Sequence, residues 1–595
     1  MKRLASGLYA GAEWIDRRRR WDRLPLLAAI AVLIGVRNRM RERNLEDTGL
    51  RPADEELMRR AGDPEYTSRR LTDGTVNDLE QPRMGGIHTR FGRNVPLRKT
   101  YPEPDAGLLA PNPRTVSREL MTRNRFLPAT TLNVLAAAWI QFEVHDWFSH
   151  GKEDEENPWR LDLADDDDWP ERPMQIRRAR RDPTSDDDPY TPPTYITDDS
   201  HWWDGSQIYG SRDDFAQAIR SGDGGKLRLG ADGLPPEDLD RVIDLEGVGG
   251  NFWVGLGLLH TLFMLEHNAI CDRLRREHPD WNDDRLFAKA RLINAALMAK
   301  IHTTEWTPAI IAHPTSRYAL GATWSGIVGE RLGGRVGRIG PGDILSGIPG
   351  SKTSHHGVPY SLTEEFVAVY RMHPLLPDDY RFYSLDGGDA PRELGFADLG
   401  ARHVRERVKE IRMPNALYSF GVAHPGEISL YNYPRSLQRL DRPNGDRLDL
   451  AAVDILRTRE RGVPRYNEFR RLFRLQPARS FQELAGDPEV AEHIRQVYDG
   501  EIERVDLMVG LYAEPKPKGF GFSDTAFRVF ILMASRRLKS DRFFTRDFTP
   551  EMYTPEGMAW VRKNTMISVL LRHYPELYPA LRGVDNAFAP WARLS

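Results

Sequence analysis

The 595-residue sequence predicts a mainly α-helical protein, one large domain carrying an N-terminal arm. Three observations support this. Residues 130–150, 251–278, 283–313 and 361–373 repeat apolar side chains at three- and four-residue spacing, the period of an amphipathic or buried helix. Strand signals are weak and few. A hydrophobic fraction of 40% with 10% aromatics marks a globular chain long enough to bury a substantial core.

Taken in order, residues 1–45 form an arginine-rich, apolar helical unit. RRRRWDRLPLLAAIAVLIGVRNRMRER sets 13 residues, Leu24–Val36, between arginine clusters, too short a run to cross a bilayer as an ordinary helix. It resembles a signal peptide, but the next residues are basic and lack a small-residue cleavage site, so the segment is expected to be retained. Two readings stay open: a helix buried in the fold, or an interfacial helix whose arginines meet anionic lipid. The flanking charge favours the second, a peripheral membrane contact. Residues 46–120 are rich in Pro, Gly, Arg and Asp with little periodicity, and read as an extended arm wrapped on the body formed by residues 121–595.

Composition excludes several functions. With 84 basic and 87 acidic residues the net charge is −3, which gives no electrostatic drive toward nucleic acid. Cys271 is the single cysteine, so the chain has no internal disulfide and no cysteine metal site, and an intracellular, reducing location is expected over secretion. The acidic runs 162–169 and 185–189 read as solvated loop without an ion. The glycine-rich stretch 329–353 fails the phosphate-loop spacing because Ser351 stands where the second glycine belongs. His260, Glu266 and His267 fit neither zinc-helix pattern and are assigned to packing and hydrogen bonding.

Three stretches carry chemistry. In WIQFEVHDWFSH, Gln141 and His145 stand four residues apart on one helical face, with Asp146 turned roughly 100° away. In SHWWDGSQIYG, Ser200, Trp202, Asp204 and Ser206 alternate, a spacing that brings side-chain and main-chain oxygens onto a hard cation, with Asp146 as a further carboxylate. An ordinary glycine-containing turn explains that loop equally well. In VAVYRMHPLLPDDY, Tyr370 and His373 fall on one helical face ended by Pro374. That fragment alone is also the buried stripe of a helix together with Phe366.

In this order, with LHTLFMLEHNAICDRL, YRMH, DILRTRERGVPRYNEFRRLF and ILMASRRLKSDRFFT, these segments resemble the animal-type haem peroxidase and cyclooxygenase superfamily, and within it the fatty-acid α-dioxygenases. The resemblance implies a single haem-peroxidase-like domain of the cyclooxygenase/peroxidase type. It makes His373 the proximal ligand of haem iron, Tyr370 the residue oxidised to a radical, and His145 with Gln141 the distal pair. Asp454 stands where the family motif has an asparagine, and with Arg457 it is expected to support the proximal histidine. Asp146, Ser200, Trp202, Asp204 and Ser206 would hold Ca²⁺. Val144 replaces the carboxylate that secreted relatives use to bond haem, so a non-covalent haem b is expected. His302 and Thr307 match the pair that grips a fatty-acid carboxylate, completed by a late arginine taken as Arg542, with Arg536, Arg537 and Arg546 close by in sequence.

The implied activity is oxygenation of a fatty acid at its α-carbon by a tyrosyl radical, with O₂ as co-substrate, a peroxide as activator, and a 2-hydroperoxy fatty acid as product. Loss of CO₂ would then give the aldehyde one carbon shorter. The protein is expected to be a monomer. The alternatives are a haem peroxidase, a mid-chain fatty-acid dioxygenase, and a non-catalytic haem-binding protein on the same scaffold. Retention of Tyr370, His145 and His373 disfavours the first and last, and the His302/Thr307 match disfavours the second.

Overall fold

The computed structural model describes residues 2–185, 190–238, 243–245, 252–327, 343–387, 390–400, 403–442 and 445–594. Residues 186–189 of the second acidic run and residues 329–342 of the glycine-rich stretch therefore lie outside the described residues.

Three helices make the centre. Val254–Glu277 packs against both Val134–Val144 and Asp283–Ile301. The first of these is long and apolar enough to span a bilayer, but 83% of its most apolar window is buried inside the fold, which makes it a core helix. Val134–Val144 is apolar around most of its circumference because its neighbours enclose it, with Gln141 and Glu143 as its polar positions. Its first turn is closed by the Asn133 side chain, which accepts from Ala136 N, while Asn133 Nδ2 donates to Ala587 O at 2.7 Å and so ties the helix start to the C-terminal tail. The described strands form only short two-stranded antiparallel ribbons, such as Asp154–Leu161 with Met174–Arg178 and Asp379–Phe382 with Arg392–Gly395.

Two long helical expectations are divided in the structure. The 283–313 segment is α-helical over Asp283–Ile301, widens into a π-turn at His302–Trp306 and resumes over Thr307–Ile310. The 361–373 segment is helical only over Glu364–Val369. Tyr370 caps it with φ −88° and ψ 11°, and His373 begins a separate 3₁₀ turn, His373–Leu375, with Pro374 inside that turn. Tyr370 and His373 are therefore not neighbours on one α-helical face. The α conformation disfavoured before Pro374, together with proline's missing N–H, moves the break upstream of the histidine.

At the N-terminus, Lys2–Arg18 and Leu26–Arg43 form a helical hairpin. The second helix packs on Pro314–Ser325 and Asp524–Ser540, burying Ile30, Val32, Leu33, Val36 and Met40. Trp21, fully buried at the bend, donates from Nε1 to Asp524 Oδ1 at 2.9 Å and meets His313 edge-on at 5.1 Å. Most of the apolar side of this helix thus faces protein, because neighbouring helices offer it enough apolar area, while Leu26 and Leu27 of its first turn stay exposed. The acidic run 162–169 also needs correction at Asp167. That residue is buried against Arg114 at 3.0 and 3.1 Å, and the same guanidinium reaches Asp449 at 2.8 Å.

Candidate active site

The central helix delivers His145 at its C-terminal cap. The ring Nδ1 lies 3.1 Å from Gln141 O and 3.2 Å from Phe142 O. Carbonyls only accept, so Nδ1 carries the proton, and the bare lone pair sits on Nε2, which is buried with no hydrogen-bond partner. Burial lowers the imidazole's pKa to about 4, against which the two carbonyl bonds act weakly. His145 is thus a neutral base at ordinary pH. Trp253 Nε1 donates to Gln141 Oε1 at 2.7 Å and fixes that amide's orientation.

Opposite in role is His373. Its Nδ1 lies 3.0 Å from Asp454 Oδ2, on an approach too bent for an ideal hydrogen bond but within close electrostatic reach. Asp454 is fully buried and also meets Arg371 Nη1 at 3.2 Å and the Tyr433 hydroxyl at 3.2 Å. Burial would raise its pKa, but Arg371 and His373 outweigh this and hold it below the usual range. A carboxylate behind Nδ1 leaves Nε2 of His373 as the free lone pair. Arg457, expected in this support, is not brought there. It is held by Glu153, Glu460 and Arg177 O, and Arg371 takes its place on Asp454. The signal for Arg371 was its position inside YRMH; Tyr433 had none.

An orphaned distal lone pair on His145 and a carboxylate-backed imidazole at His373 are the donor set a haem requires.

Tyr370 is 5% exposed, ringed by Phe366 at 4.4 Å, Phe148 at 6.0 Å and Phe530 at 6.3 Å. Burial raises its pKa, so the phenol stays protonated. Phe530 also lines a largely apolar cavity whose empty space, part of it open solvent, is about 730 Å³. His302 and Thr307 lie at that cavity, with Trp203, Phe527 and Ile531. Trp139 Nε1 donates to His302 Nδ1 at 3.2 Å, so the His302 proton sits on Nε2. Burial, and the positive charge of Arg537, lower its pKa to about 3. His302 is therefore a neutral donor, not a cation. Thr307 Oγ1 donates to His302 O at 2.7 Å and stabilises the π-turn.

Arg542 is not at this cavity. It faces Asp547, the Thr67 carbonyl at 2.6 Å and the Phe543 ring at 4.0 Å. The arginine that reaches the His302 surroundings is Arg537, lying 3.3 Å over Trp147 and 5.0 Å from the Trp203 ring, which itself meets His302 edge-on at 5.1 Å. Its Nη2 donates to Trp202 O at 2.9 Å, while Nη1 is buried without a partner. The clustered arginines of ILMASRRLKSDRFFT pointed to the region, but not to the helical face that selects Arg537.

The loop at 200–206 closes on the distal helix. Ser206 Oγ donates to Asp146 Oδ2, Ser206 N donates to Asp204 Oδ1 at 3.1 Å, and Ser200 Oγ accepts from Trp202 N at 3.1 Å. Asp146 and Asp204 are buried, and Asp204 Oδ2 has no hydrogen-bond partner, its nearest cation being Arg291 at 3.5 Å. Burial raises Asp146 well above the carboxylate range, Asp199 and Asp204 adding to the effect, and Asp199 itself rises to about 6. Among the described residues no three His, Cys, Asp or Glu side chains converge as a metal cluster. A cation here would draw its other ligands from hydroxyls and the Trp202 carbonyl, a hard-oxygen set suited to Ca²⁺. Glu266 and His267 are engaged in packing: Arg572, His573 and Trp560 occupy the first, and Tyr209 and the Gly225 carbonyl the second.

The helical core, paired histidines and closed acidic loop define a class. Residues 69–583 match the animal haem peroxidase family, and the chain belongs to it. Within that family it falls among the α-dioxygenases. It is 38% identical to a rice α-dioxygenase, over 97% of this chain and 94% of that one, and 36% identical to α-dioxygenase 2 of Arabidopsis thaliana, over 97% and 92%. A crystal structure of the rice fatty acid α-dioxygenase with palmitic acid superposes with a TM-score of 0.91 at 35% identity, covering 100% of this chain and 98% of that one.

Sequence reasoning did not single out Glu143. Its Oε2 accepts from Trp203 Nε1 at 3.0 Å and Gln207 Nε2 at 3.3 Å, Oε1 is unpartnered, and burial raises its pKa to about 8. In the unfolded chain a glutamate titrates near 4.3. The unfolded state therefore releases its proton first, and the stability that neutral Glu143 allows at low pH is lost progressively as pH rises through about 8. Glu143→Gln should flatten the fall in denaturation midpoint of the holoprotein between about pH 5 and 8. Parallel curves for the two proteins would show that Glu143 is ionised throughout.

Proposed function

We propose that this protein oxygenates fatty acids at the α-carbon. The observation that carries the reading is Tyr370 one ring behind the wall of an apolar cavity that also holds His302 and, behind Trp203, the incompletely paired Arg537. Similarity over nearly the full chain to fatty acid α-dioxygenases, one solved with palmitic acid, supports it. His373, backed by Asp454, would hold a non-covalent haem b from the proximal side, with Val144 leaving no ester-forming carboxylate beside His145. Bound there and activated by a peroxide, the haem supplies the one-electron oxidising capacity.

The chain's own residues account for the remaining chemistry. His145 Nε2 accepts the peroxide's proton, and Gln141 orients the distal side. Arg537 pairs with the fatty-acid carboxylate while His302 Nε2–H donates to it, which sets the α-carbon against Tyr370. The Tyr370 radical takes the α-hydrogen, O₂ adds to the carbon radical, and the resulting peroxyl recovers a hydrogen atom from Tyr370. One fatty acid and one O₂ become one 2-hydroperoxy acid, with the radical restored.

Tyr370→Phe removes one hydroxyl and nothing that binds haem. Oxygen uptake with palmitate should fall to background while haem content and peroxidase turnover of a small phenol persist. Arg537→Gln should instead raise KM and scatter the oxygenated position, since the radical still forms but the substrate loses its anchor. Full α-oxygenation by Tyr370→Phe would replace this reading with a haem-centred peroxidase.

Asp146, Asp204, Ser200, Ser206 and the Trp202 carbonyl are assigned to one structural Ca²⁺ that pins the distal helix to its loop. Metal analysis of the purified holoprotein should find about one calcium per chain, and Asp204→Ala should lose the metal and lower thermal stability together. A native protein free of calcium refutes the assignment.

The location supported by the lone buried thiol of Cys271 is intracellular, with a peripheral membrane contact. Leu26, Leu27, Tyr318, Ile327 and Leu345 are exposed on helices, or beside a helix, that border the cavity, and the exposed Arg18, Arg19 and Arg23 lie on or next to the same hairpin. An anionic lipid surface complements both features. Flotation with phosphatidylserine vesicles should recover the wild type, and Leu26→Ser with Leu27→Ser should reduce recovery; no association of the wild type at low salt refutes the contact.

A further inference from the structure

The cavity wall holds a guanidinium that the proposed reaction does not use. Arg37 lines the cavity from the helix Leu26–Arg43, alongside Ile30, Leu33 and Ile34. It is 8% exposed, and its Nε is buried without a hydrogen-bond partner. Among the described residues its one carboxylate partner is Asp343, at 3.5 Å, and that carboxylate is claimed more closely by Arg41 at 3.0 Å and Lys539 at 3.3 Å. Arg41 has a further partner in the Ser535 hydroxyl at 3.0 Å. Arg37 is thus the least well paired cation of the group and the one that faces the lumen. Burial, and then Arg41, lower its pKa to about 9 against the pull of Asp343, which still leaves it charged at neutral pH.

A charge enclosed in a mostly apolar wall is costly unless something complements it. Ser316, another lining residue, presents a buried hydroxyl without a partner. The charged groups that act on Arg37 are Arg41 and Asp343, with Tyr9 adding a small effect; on His302 the acting cation is Arg537. Arg37 lines the cavity itself, whereas Arg537 stands behind the lining residue Trp203, so the two guanidiniums are separate charges beside one apolar space.

We propose that Arg37 is a second carboxylate-recognition point in the substrate channel. This rests on the fatty-acid reading of the cavity and extends it to substrate class. One chemistry, an alkyl carboxylate, reaches the point from two sources. It is the ω-carboxylate of an α,ω-dicarboxylic acid whose other end is held at Arg537, or the carboxylate of a monocarboxylic acid passing Arg37 on its way inward. In either case the guanidinium replaces the hydration that an apolar wall would otherwise strip from the anion.

The test uses the full-length holoprotein, with palmitate turnover as the control for the underlying reading: no palmitate oxygenation would defeat that reading whatever Arg37 does. Affinity is then compared between saturated monocarboxylates and α,ω-dicarboxylates of even chain length from decanoic to octadecanoic size, together with palmitate association rates, in wild type, Arg37→Gln and Arg37→Lys. For an ω-carboxylate, one dicarboxylate length binds the wild type at least as tightly as its monocarboxylate, and Arg37→Gln weakens it at least tenfold more than palmitate. For a carboxylate in transit, Arg37→Gln slows palmitate association at least threefold and Arg37→Lys restores most of it. The proposal is overturned if every wild-type dicarboxylate binds more weakly than its monocarboxylate and palmitate association is unchanged in Arg37→Gln. Should Arg37→Gln fail to fold, the wild-type length series decides for the ω-carboxylate, because without a second cation an added carboxylate costs affinity at every length, and the palmitate association rate of Arg37→Met decides for the carboxylate in transit.

Discussion

The arrangement depends on one buried guanidinium. Arg537 is enclosed, and enclosing a charge costs several kcal/mol unless its partners replace lost water. Those partners belong to different parts of the molecule: the Trp202 and His201 carbonyls of the acidic loop, the faces of Trp147 and Trp203, and, through longer-range attraction, Asp146, Glu143 and Asp204. Its remaining Nη1 has no partner. The same side chain therefore joins the loop assigned to a cation with the aromatic wall that carries His302. Moving it by an ångström would alter both, and this explains why indole faces and main-chain carbonyls together fix it.

A second constraint is the protonation pattern that burial imposes on the histidines. His145 and His302 are both held neutral, at pKa values of about 4 and about 3, yet they present opposite atoms to their surroundings. Main-chain carbonyls put the His145 proton on Nδ1 and bare its Nε2; the Trp139 indole takes the His302 Nδ1 lone pair and puts the proton on Nε2. One histidine is thereby a base and the other a hydrogen-bond donor, and the difference comes from the neighbours at Nδ1 in each case. His373 adds a third state, an imidazole polarised by Asp454.

How much of this was legible in the sequence depends on which signals are local. Helical periodicity found all three central helices, because each buries a continuous apolar face whose spacing is visible in the chain, but only Val254–Glu277 ends close to where the pattern does, and the pattern overran Val134–Val144 at both ends and Asp283–Ile301 at its C-terminal end. The π-turn at His302–Trp306 was not visible, since a one-residue expansion leaves the apolar pattern of HTTEWTPAI intact. Asp454 could be picked out from its segment, but the cation beside it could not: Arg457 stands nearer in sequence, and only the break of the helix at Tyr370 turns Arg371 toward the carboxylate. Arg537 and Arg542 present the same difficulty. They lie five residues apart, yet Arg537 is inside the helix Asp524–Ser540 and Arg542 is just beyond its end, so one side chain enters the interior and the other turns to Thr67 and Asp547.

The N-terminal hairpin shows why composition alone could not decide between membrane and core. Leu26–Arg43 has apolar residues on most of its circumference and arginines toward its end, a pattern that suits an interfacial helix and a buried one alike. The tertiary neighbours decide: Pro314–Ser325 and Asp524–Ser540 leave a gap that the helix fills, and Ile30, Leu33 and Ile34 become part of an apolar cavity wall. Since the segment that resembled an anchor is also a wall of the cavity, any surface that engages its exposed first turn at Leu26 and Leu27 lies one helical turn from Ile30 at the lining. The same packing that buries the helix therefore also sets the cavity wall within one turn of its exposed end, so a change at Leu26 or Leu27 is close enough to act on the lining through Ile30.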